Sequence, residues 1–410
     1  MTDKFDICVL GLGYIGLPTA SIFATKGKSV LGVDVQPHVV ETIKQGRIHI
    51  QEPDLDVLVR AAVQSGNLKA AAKPSSAETF IIAVPTPFHE TENGREPDLR
   101  YVESAARSIA EVIEPGALVI LESTSPVGTT EKVRDWLIDE LAGKYSSADF
   151  HFAHCPERIL PGQMLKELVS NDRISGGLTS EASARAKRLY EVFCSAEIYV
   201  TDARTAELAK LTENSFRDVN IAFANELSII CDELGIDVWE LIQLANRHPR
   251  VNILRPGPGV GGHCIAVDPW FIVSAAPNKA RLIRTAREVN DSKPNYILEM
   301  VRQKAARFRD PVIACLGLTF KADVDDMRES PALHIVESIV DQKLGKVLVA
   351  EPHTRQLPSS LSATATLLVA EEAVRAADIV LLLVDHKPFK SISKRLLEQR
   401  VVIDTRGCWA

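Results

Sequence analysis

The sequence predicts an α/β protein with two doubly wound, parallel-sheet domains joined by a helical segment that contains one long central helix. In the first and last parts of the chain, short apolar runs alternate with amphipathic segments, which is typical of parallel sheets covered by helices. Between them, Ala206 to Leu234 has no glycine or proline and keeps apolar residues three and four positions apart, as one helix requires. We therefore expect an N-terminal domain over 1–200, a helical domain over 201–308 and a C-terminal domain over 309–410.

The predicted strands are near-continuous apolar runs, which suits strands covered on both faces. They are Ile7 to Leu10, Ser29 to Val33, Thr79 to Val84, Leu118 to Leu121, Val312 to Leu316, Lys346 to Val349, Ile379 to Val384 and Val401 to Ile403. Glycine and proline crowd Pro249 to Pro269, which favours an ordered loop, and a second helical stretch follows at Arg281 to Phe308. Ser330-Pro331 is a typical helix start, since serine caps N–H groups and proline suits the first turn.

Composition and charge exclude several classes of protein. The 410 residues are 46% hydrophobic, which is enough for more than one core. A net charge of -7, without a run of Lys and Arg, argues against binding to nucleic acid or anionic membranes. The first apolar stretch, Phe5 to Leu10, is too short for a signal peptide or a membrane span, so we expect a cytoplasmic protein. Seven cysteines without a CxxC pair argue against disulfides and a zinc site, and we expect no metal.

A glycine-rich turn after the first predicted strand indicates a Rossmann-like dinucleotide site. Its residues are Gly11, Leu12, Gly13, Tyr14, Ile15 and Gly16, and they open a helix whose N-terminus can receive a pyrophosphate. Asp34 ends the next strand, eighteen residues after Gly16, where a carboxylate would accept hydrogen bonds from ribose and repel a 2′-phosphate. The pattern therefore favours NAD over NADP. The competing explanation is a glycine turn used only for packing, with Asp34 as a strand-end cap.

Two Pro-containing segments follow predicted strands at the edge where ligands bind in such sheets. They are Val84-Pro85-Thr86-Pro87 and Ser123-Thr124-Ser125-Pro126. Either Thr86 and Thr124 touch the cofactor, or the prolines simply end the strands. The residues alone do not separate these two explanations.

Cys264 is the candidate nucleophile. It ends a run of glycines and prolines that begins at Pro256, where missing side chains would let a ligand approach the backbone. A thiol attacks a carbonyl efficiently only when nearby positive charge or hydrogen-bond donors raise its thiolate fraction. His263 or a lysine brought by the fold would supply that. The alternative for Cys264 is a buried structural thiol in a glycine-rich turn.

Three polar residues on the long helix, Lys210, Asn214 and Arg217, share one face. Because the surrounding helix is largely apolar, we expect this stripe to line a polar cavity and not a solvated surface. Lysine can act as an acid or base there, while asparagine and arginine can hold an oxyanion or a phosphate.

Together these motifs resemble the UDP-glucose/GDP-mannose dehydrogenase family along essentially the whole chain. The strings, in the family's order and spacing, are GLGYIGLP, STSPVG, CPERILPG, ELAKLTENSFRDVNIAFANEL, GGHCIAVDP and FKADVDDMRESPA. The resemblance implies a four-electron oxidation of the C6 alcohol of a UDP-sugar to a carboxylate, with two NAD molecules used in succession. The fuller strings at 244–253 and 265–270 point to UDP-N-acetyl-D-mannosamine, for bacterial surface polysaccharide, with UDP-N-acetylglucosamine and UDP-glucose as alternatives.

The resemblance also implies the roles of the residues in the first oxidation. Lys210, with a water held near Asp268 and Thr124, would assist proton removal from the C6 hydroxyl. The product of this step is an aldehyde.

The second oxidation would be covalent. Cys264 would trap the aldehyde as a thiohemiacetal, whose alkoxide Lys210 and Asn214 stabilise, and loss of a second hydride would leave a thioester. Glu157 of the CPERILPG segment would help water to release the acid. A bound intermediate keeps the reacting carbon in place between the two oxidations.

The family pattern implies further binding residues. Those implied for the UDP-sugar, besides Lys210 and Asn214, are Arg158, Ile159, Arg217, His248, Arg250, Gly261, Phe320, Lys321 and Arg406. Arg406 stands where relatives can carry lysine, and either cation suits a phosphate, although only arginine offers a planar fork. Arg328 is implied to contact NAD from the C-terminal domain, and without the resemblance it would be read as a surface arginine. The acidic residues Asp323, Asp325 and Asp326 lie in a family loop that is not used for metal.

The family also implies a homodimer through the long helix. The apolar seam would be Ala222, Phe223, Leu227 and Ile230, which bury either each other across subunits or the core of one subunit. Two other classes of protein compete with this reading. The first is an ordinary two-electron hydroxyacid dehydrogenase, which needs no cysteine. The second is a catalytically silent NAD-dependent sensor or sugar-nucleotide-binding regulator, and the joint presence of Lys210, Asn214, Cys264 and Asp268 argues against it.

Overall fold

The protein folds as two compact units. The structure is a computed structural model that describes residues 4–50, 52–91, 94–159, 162–262 and 264–409. The first unit comprises Met1–Glu213 with Trp270–Ala276, and the second comprises Asn214–Pro269 with Pro277–Ala410. The three domain boundaries predicted from the sequence stay a prediction.

The first unit contains an eight-stranded sheet and a separate antiparallel pair of strands. The strands are β1 (Phe5–Leu10), β2 (Val30–Val33), β3 (Leu68–Ala71), β4 (Ala77–Ile82), β5 (Phe88–Thr91), β6 (Gly94–Pro97), β7 (Leu118–Leu121), β8 (His151–His154), β9 (Arg173–Gly177) and β10 (Ile198–Asp202). The order in the sheet is β10-β9-β8-β7-β4-β1-β2-β3, and β5 pairs with β6. All neighbours in the sheet are parallel except β8 and β9, which pair antiparallel.

The sheet of the first unit is buried on both faces. Alternate residues of β1 enter different apolar clusters, with Ile7 and Val9 in one and Cys8 and Leu10 in the other. This division is what a strand covered by helices on both sides requires. The helices of this part are α1 (Gly16–Thr25), α2 (Pro37–Lys44), α3 (Leu55–Gln64), α4 (Arg100–Ser108), α5 (Thr129–Glu140), α6 (Met164–Ser170) and α7 (Ser180–Tyr190).

The second unit contains a five-stranded parallel sheet. Its strands are β11 (Val312–Leu316), β12 (Lys346–Ala350), β13 (Ala365–Leu367), β14 (Ile379–Leu382) and β15 (Val401–Asp404), in the order β13-β12-β11-β14-β15. The remaining helices of the chain are α8 (Ala203–Leu234), α9 (Val238–Ala245), α10 (Asp268–Ala275), α11 (Arg281–Ala305), α12 (Pro331–Asp341), α13 (Ala370–Ala376) and α14 (Lys394–Leu397). The prediction of an α/β protein with two doubly wound sheets and a long middle helix is confirmed.

Most predicted elements lie close to the observed ones. The helix predicted from Ala206 to Leu234 lies within α8. The described residues between α9 and α10 form no helix or strand, as predicted for the glycine-rich loop. Ser330 caps α12, because its hydroxyl oxygen accepts a hydrogen bond from the Leu333 N–H at 3.3 Å. β4 ends two residues before the predicted Val84, at a point where nearby prolines cannot donate to a ladder. Across the described ranges, no helix combines the length and apolar character needed to cross a bilayer.

Candidate active site

The glycine-rich turn between β1 and α1 has the geometry that a bound dinucleotide requires. Gly11 has φ 91°, and a Cβ placed on it would lie 2.6 Å from the Ala83 carbonyl oxygen. A Cβ on Gly16, the first residue of α1, would overlap the Gly11 carbonyl oxygen. Gly13 instead faces open space, with no atom within 4 Å of an added Cβ. Gly11 and Gly16 therefore make the turn, while Gly13 leaves room for a ligand against the backbone.

Asp34 lies directly after β2 and braces the glycine-rich turn. One carboxylate oxygen accepts a hydrogen bond from the Leu12 N–H at 3.0 Å, and the other accepts one from the Gln36 N–H at 2.9 Å. Each oxygen keeps a second lone pair for a ribose hydroxyl. The explanation of Asp34 as a cap and the explanation as a ribose acceptor are therefore compatible. Tyr14, within the glycine-rich turn, is 37% exposed.

The two threonines predicted at the strand ends lie together. Thr86 follows β4 and Thr124 follows β7, its neighbour in the sheet, and the Thr86 hydroxyl donates to the Thr124 carbonyl oxygen at 2.6 Å. The Ser123 hydroxyl donates to the Val84 carbonyl oxygen at 2.7 Å. Both segments are thus fixed to one another at the carboxyl edge of the sheet. Their contact with the cofactor stays a prediction.

Glu157, predicted to assist hydrolysis, is a buried ion-paired carboxylate. It pairs with the guanidinium of Arg173 on β9 and accepts a hydrogen bond from the Arg158 N–H at 2.8 Å. Glu122, which follows β7, lies on the other side of Arg173. Neither Arg173 nor Glu122 was predicted from the sequence. The only sequence feature that pointed to this pair was a charged residue, Glu122, directly after the short apolar strand β7.

Arg158 and Ile159, both predicted to bind substrate, have partners within the first unit. The Arg158 guanidinium pairs with Glu213 at 2.6 Å and also donates to the Asp172 carbonyl oxygen. Ile159 packs against the apolar cluster of the first unit. A diphosphate would have to compete with Glu213 for the arginine.

The candidate nucleophile is an exposed cysteine at the start of a turn. The Cys264 carbonyl oxygen accepts hydrogen bonds from the Val267 N–H at 3.0 Å and from the Asp268 N–H at 2.9 Å, so the turn leads straight into α10. Cys264 is exposed, whereas the five other cysteines before Cys408 are buried. The alternative of a buried structural thiol is therefore wrong. His263, predicted as a source of positive charge, lies outside the described residues.

Two predicted catalytic residues are directly bonded in the second unit. The Asn214 amide nitrogen donates to a carboxylate oxygen of Asp268 at 2.5 Å, although 54 residues separate them. Asp268 is buried, and Asn214 is half-buried. Lys210, one turn earlier on α8, is also half-buried, and Arg217 is exposed. The amide is thereby held in one orientation, with its second N–H left to donate.

The glycines before Cys264 are packed against the segment after β11. A Cβ on Gly261 would lie 2.6 Å from the Pro331 ring, and one on Gly262, which has φ 83°, would lie 3.0 Å from the Phe320 ring. The sequence analysis placed Gly261 and Phe320 in the substrate site, and the structure brings them together. A side chain larger than hydrogen at Gly261 would displace the loop that carries Cys264.

A chain of buried polar side chains holds the other end of the cysteine loop. The Gly257 N–H donates to the Asn225 amide oxygen, the Asn225 amide donates to Asn290, and Asn290 donates to Asp218, each at 2.8 Å. Arg287 donates to the same Asp218 oxygen at 2.5 Å. This network was not predicted from the sequence. The only sequence feature that pointed to it was the presence of polar residues at helix positions where apolar residues are expected.

The remaining predicted substrate and cofactor residues lie at the surface of the second unit. His248, Arg250 and Lys321 are exposed, and the His248 Nδ1 accepts a hydrogen bond from the Arg250 N–H at 3.3 Å. Arg328 forms a two-pronged contact with Asp326, at 2.9 and 2.7 Å. The roles proposed for these residues stay predictions.

Arg406 joins the C-terminal sheet to the base of the cysteine loop. Its guanidinium bonds Asp385 at 3.0 Å and the Pro256 carbonyl oxygen at 3.5 Å. Burial opposes ionisation of Asp385, but the charge and hydrogen bond of Arg406, together with a backbone hydrogen bond and the charge of Lys390, outweigh it and lower the pKa of that carboxyl. Arg406 therefore has a structural contact in addition to its predicted role at a phosphate.

One group of side chains has the donor types of a metal site. Asp323, His353 and His386 place their ligand atoms within 4.8 Å of one another. The His386 Nδ1, however, accepts the Asp323 N–H at 2.9 Å, and its Nε2 lies 3.2 Å from both Glu351 and Thr319. Because both ring nitrogens are engaged, we assign no metal to this group.

Comparison with known proteins defines the family. The NAD binding domain of the UDP-glucose/GDP-mannose dehydrogenase family matches residues 5–194, its central domain matches 204–292, and its UDP binding domain matches 314–410. An NDP-N-acetyl-D-galactosaminuronic acid dehydrogenase from Ralstonia nicotianae is 61% identical over 100% of this chain and 97% of its own. A UDP-N-acetyl-D-mannosamine dehydrogenase from Yersinia pestis is 56% identical over 98% and 99%.

A solved structure agrees with these matches. The UDP-N-acetyl-mannosamine dehydrogenase from Staphylococcus aureus has a TM-score of 0.87 and 42% identity, covering 99% of this chain and 95% of its own. The chain therefore belongs to the UDP-glucose/GDP-mannose dehydrogenase family. It is an NAD-dependent oxidoreductase of that family, and the predicted family and cofactor are confirmed.

Proposed function

We propose that this protein oxidises the C6 alcohol of a UDP-N-acetylhexosamine to the carboxylate, with UDP-N-acetyl-D-mannosamine as the first candidate. The observation that carries the proposal is an exposed cysteine on a loop held at both ends, in a chain with an NAD domain and a UDP domain. The relative from Yersinia pestis supports the manno sugar. The name of the Ralstonia relative favours a second candidate, the galacto isomer UDP-N-acetyl-D-galactosamine.

The cysteine accounts for a four-electron oxidation. Two NAD molecules bound in succession would each supply the acceptor for one hydride. In the first oxidation, Lys210 with a water near Asp268 and Thr124 takes the hydroxyl proton, which leaves an aldehyde. The Cys264 sulfur then bonds to the aldehyde carbon and forms a thiohemiacetal, and loss of a hydride from that carbon gives a thioester.

The residues around the cysteine stabilise charge in these steps. Asp268 orients the amide of Asn214, whose remaining N–H would donate to the alkoxide of the thiohemiacetal, and Lys210 would offset its charge. Water then adds to the thioester carbon with Glu157 as the base, the carbon–sulfur bond breaks, and the acid leaves. A fixed amide stabilises the alkoxide more than a mobile one would, because no entropy is lost in orienting it during the reaction.

The covalent step is tested by replacing the cysteine. Cys264→Ala should abolish acid formation and leave NAD affinity unchanged, whereas Cys408→Ala, a control in the same unit, should keep full activity. The wild-type protein should form two NADH for each acid. Undiminished acid output from Cys264→Ala would remove the proposed nucleophile, and one NADH per sugar would indicate a two-electron hydroxyacid dehydrogenase instead.

The identity of the sugar is tested by turnover of a small panel. The ratio kcat/KM should be highest for UDP-N-acetyl-D-mannosamine among the manno, galacto and gluco N-acetyl sugars and UDP-glucose. A pocket distinguishes epimers when a buried hydrogen-bonding group is left unpaired by the wrong one. A higher ratio for UDP-N-acetyl-D-galactosamine would reverse the choice between the two candidates.

We further propose a homodimer formed through α8. Phe216, Phe223 and Ile230 recur every seven residues and are 71%, 54% and 42% exposed, so the described residues leave much of this apolar stripe uncovered. Of the predicted seam, Ala222 is instead buried in the second unit and Leu227 is half-buried. Phe223→Glu should give monomers in sedimentation, whereas Leu282→Glu, at an exposed apolar site on α11, should not. A Phe223→Glu dimer as tight as wild type would contradict this interface.

We also propose that the reaction takes place in the cytoplasm and supplies a uronic acid for bacterial surface polysaccharide. The support is the resemblance of the motifs, together with a chain whose described cysteines form no disulfide. Deletion of the gene in the source bacterium should remove that uronic acid from the surface polymer. Polysaccharide of unchanged composition would contradict the assignment.

A further inference from the structure

A second carboxylate lies beside the Glu157–Arg173 pair in the first unit. Glu122 is 2% exposed, and one of its oxygens lies 3.9 Å from an Arg173 nitrogen. The same oxygen accepts a hydrogen bond from the Tyr190 hydroxyl at 2.9 Å, and the other oxygen accepts one from Thr19 at 3.3 Å. Arg173 thus lies between two buried carboxylates and bonds only Glu157 directly.

The guanidinium of Arg173 is fixed in place but has unused donors. Its carbon lies 4.5 Å from the Tyr190 ring centre and 5.3 Å from that of Phe193. Two of its nitrogens, Nε and Nη1, have no hydrogen-bond partner among the described residues. The cation therefore stays where it is, and what changes is how its charge is divided between Glu122 and Glu157.

One positive charge cannot balance two buried negative charges. Burial, followed by repulsion from Glu157, raises the pKa of Glu122 to about 7, against the opposing effects of Arg173, Tyr190 and Thr19. A carboxyl group with this pKa gains and loses its proton near neutral pH.

Three neighbouring titratable groups have pKa values that are shifted away from neutral pH. Burial raises the pKa of Cys155 to about 12 and raises that of Tyr190 well above its ordinary value. Burial lowers the pKa of His154, on the adjacent strand, to about 3. Cys194 also faces Arg173. Glu122 is thus the group whose charge varies with pH beside the pair.

We propose that Glu122 is a positioning residue for Glu157, acting through Arg173, and that its ionisation sets how strongly Glu157 activates water for thioester hydrolysis. This rests on the proposed function, in which Glu157 is the base. When Glu122 carries a proton, Arg173 binds Glu157 alone and holds its lone pairs. When Glu122 is ionised, the cation is shared, and Glu157 becomes a stronger base.

The step balances without a further reactant. A water oxygen bonds to the thioester carbon while its proton passes to Glu157. The carbon–sulfur bond then breaks, and the Cys264 sulfur leaves with the electron pair and is protonated. No oxidation or reduction takes place. Because Glu157 becomes a stronger base when Glu122 is ionised, the rate of hydrolysis should rise with pH as Glu122 loses its proton.

The test compares three glutamine variants by the amount of acyl-enzyme that mass spectrometry detects after acid quenching. Wild-type enzyme turns over UDP-N-acetyl-D-mannosamine with NAD at a series of pH values. Glu122→Gln, which keeps the side-chain shape, should lose the rise with pH and hydrolyse about three- to tenfold more slowly at alkaline pH, as a base weakened by up to one pKa unit would. Glu157→Gln should be slow at every pH. Glu207→Gln is the control, a buried carboxylate that accepts hydrogen bonds from Gly128 and Thr130 at 2.6 and 2.8 Å.

A wild-type pH profile in Glu122→Gln would overturn the proposal. Normal hydrolysis by Glu157→Gln would instead remove the base from the proposed function, and the proposal with it. An infrared spectrum of the resting enzyme provides a readout that does not depend on activity. A protonated carboxyl band should disappear between about pH 6 and 8 in wild type and be missing in Glu122→Gln, and its absence from wild type would refute the shared charge.

Discussion

Arg287 is a fully buried cation of α11, and its replacement by methionine should strongly destabilise the second unit. Its guanidinium and the Asp218 carboxylate are both 0% exposed and lie 2.5 Å apart. Removing one partner of such a pair costs about 3–5 kcal/mol, because the remaining charge is left buried without compensation. Asn290 still donates to Asp218 at 2.8 Å, so we expect the lower half of that range.

The stability lost in Arg287→Met should depend on pH in a defined direction. Burial raises the pKa of Asp218 even with Arg287 and Asn290 opposing it, and without the arginine the pKa should rise further. An acid whose pKa is higher in the folded state stabilises the fold below its unfolded value and loses that contribution as pH rises through the folded one. The deficit of Arg287→Met should therefore shrink as pH falls toward about 4.

Calorimetry of matched variants measures this effect. For a unit of this size, about 1 kcal/mol changes the melting temperature by about 2–4 °C, so Arg287→Met should lower it by about 6–16 °C at neutral pH. Arg302→Met, on an exposed arginine of the same helix, should change it by less than about 2 °C. Adding Asp218→Asn to Arg287→Met should restore part of the loss. Equal melting of Arg287→Met and Arg302→Met would refute the reasoning.

Three further substitutions test other parts of the structure. Gly13→Ala should melt like wild type, since its Cβ meets no atom within 4 Å, yet weaken NAD binding by about 10- to 100-fold in calorimetric titration. Gly261→Ala should cost about 1–3 kcal/mol in unfolding and slow acid formation about 100-fold, because the cysteine loop must move off Pro331; wild-type kinetics would contradict this packing. Burial lowers the pKa of Lys293 to about 8, so its contribution to stability should be lost as pH falls through that value, and Lys293→Met should abolish the change between about pH 8 and 10. A stability curve for Lys293→Met that parallels wild type would count against that burial effect.

The sequence predicted those elements whose pattern is local. Leu118–Leu121 and Val312–Leu316 are unbroken apolar runs, and both strands have the predicted bounds. β9 was not predicted, because Arg173 and two glycines give it no apolar run, and its antiparallel pairing with β8 has no local signature at all. The strands β5 and β6 are polar and were missed for the same reason.

The residues of the candidate site also divide into those with a local sequence pattern and those without one. The glycine-rich turn, Asp34 and the loop of Cys264 could be predicted because each depends on residue types within a short stretch. Arg173 on β9, which pairs with Glu157, and Glu122, which follows β7, could not be predicted. Their contact is a product of sheet order, and neither residue resembles a catalytic motif by itself.

The part of α8 that lies in the second unit makes three distinct sets of contacts. Ser215, Asp218, Ala222 and Asn225 recur at three- and four-residue spacing and are all buried, although three of them are polar. This face bonds α11 and the cysteine loop, the stripe of Phe216 and Phe223 is exposed, and Asn214 reaches Asp268. Inserting one residue after Asn214 would turn the rest of the helix by about 100° and place the buried polar groups where no partner exists. The phase of this helix, more than any one side chain on it, therefore sets the geometry of the loop that carries Cys264.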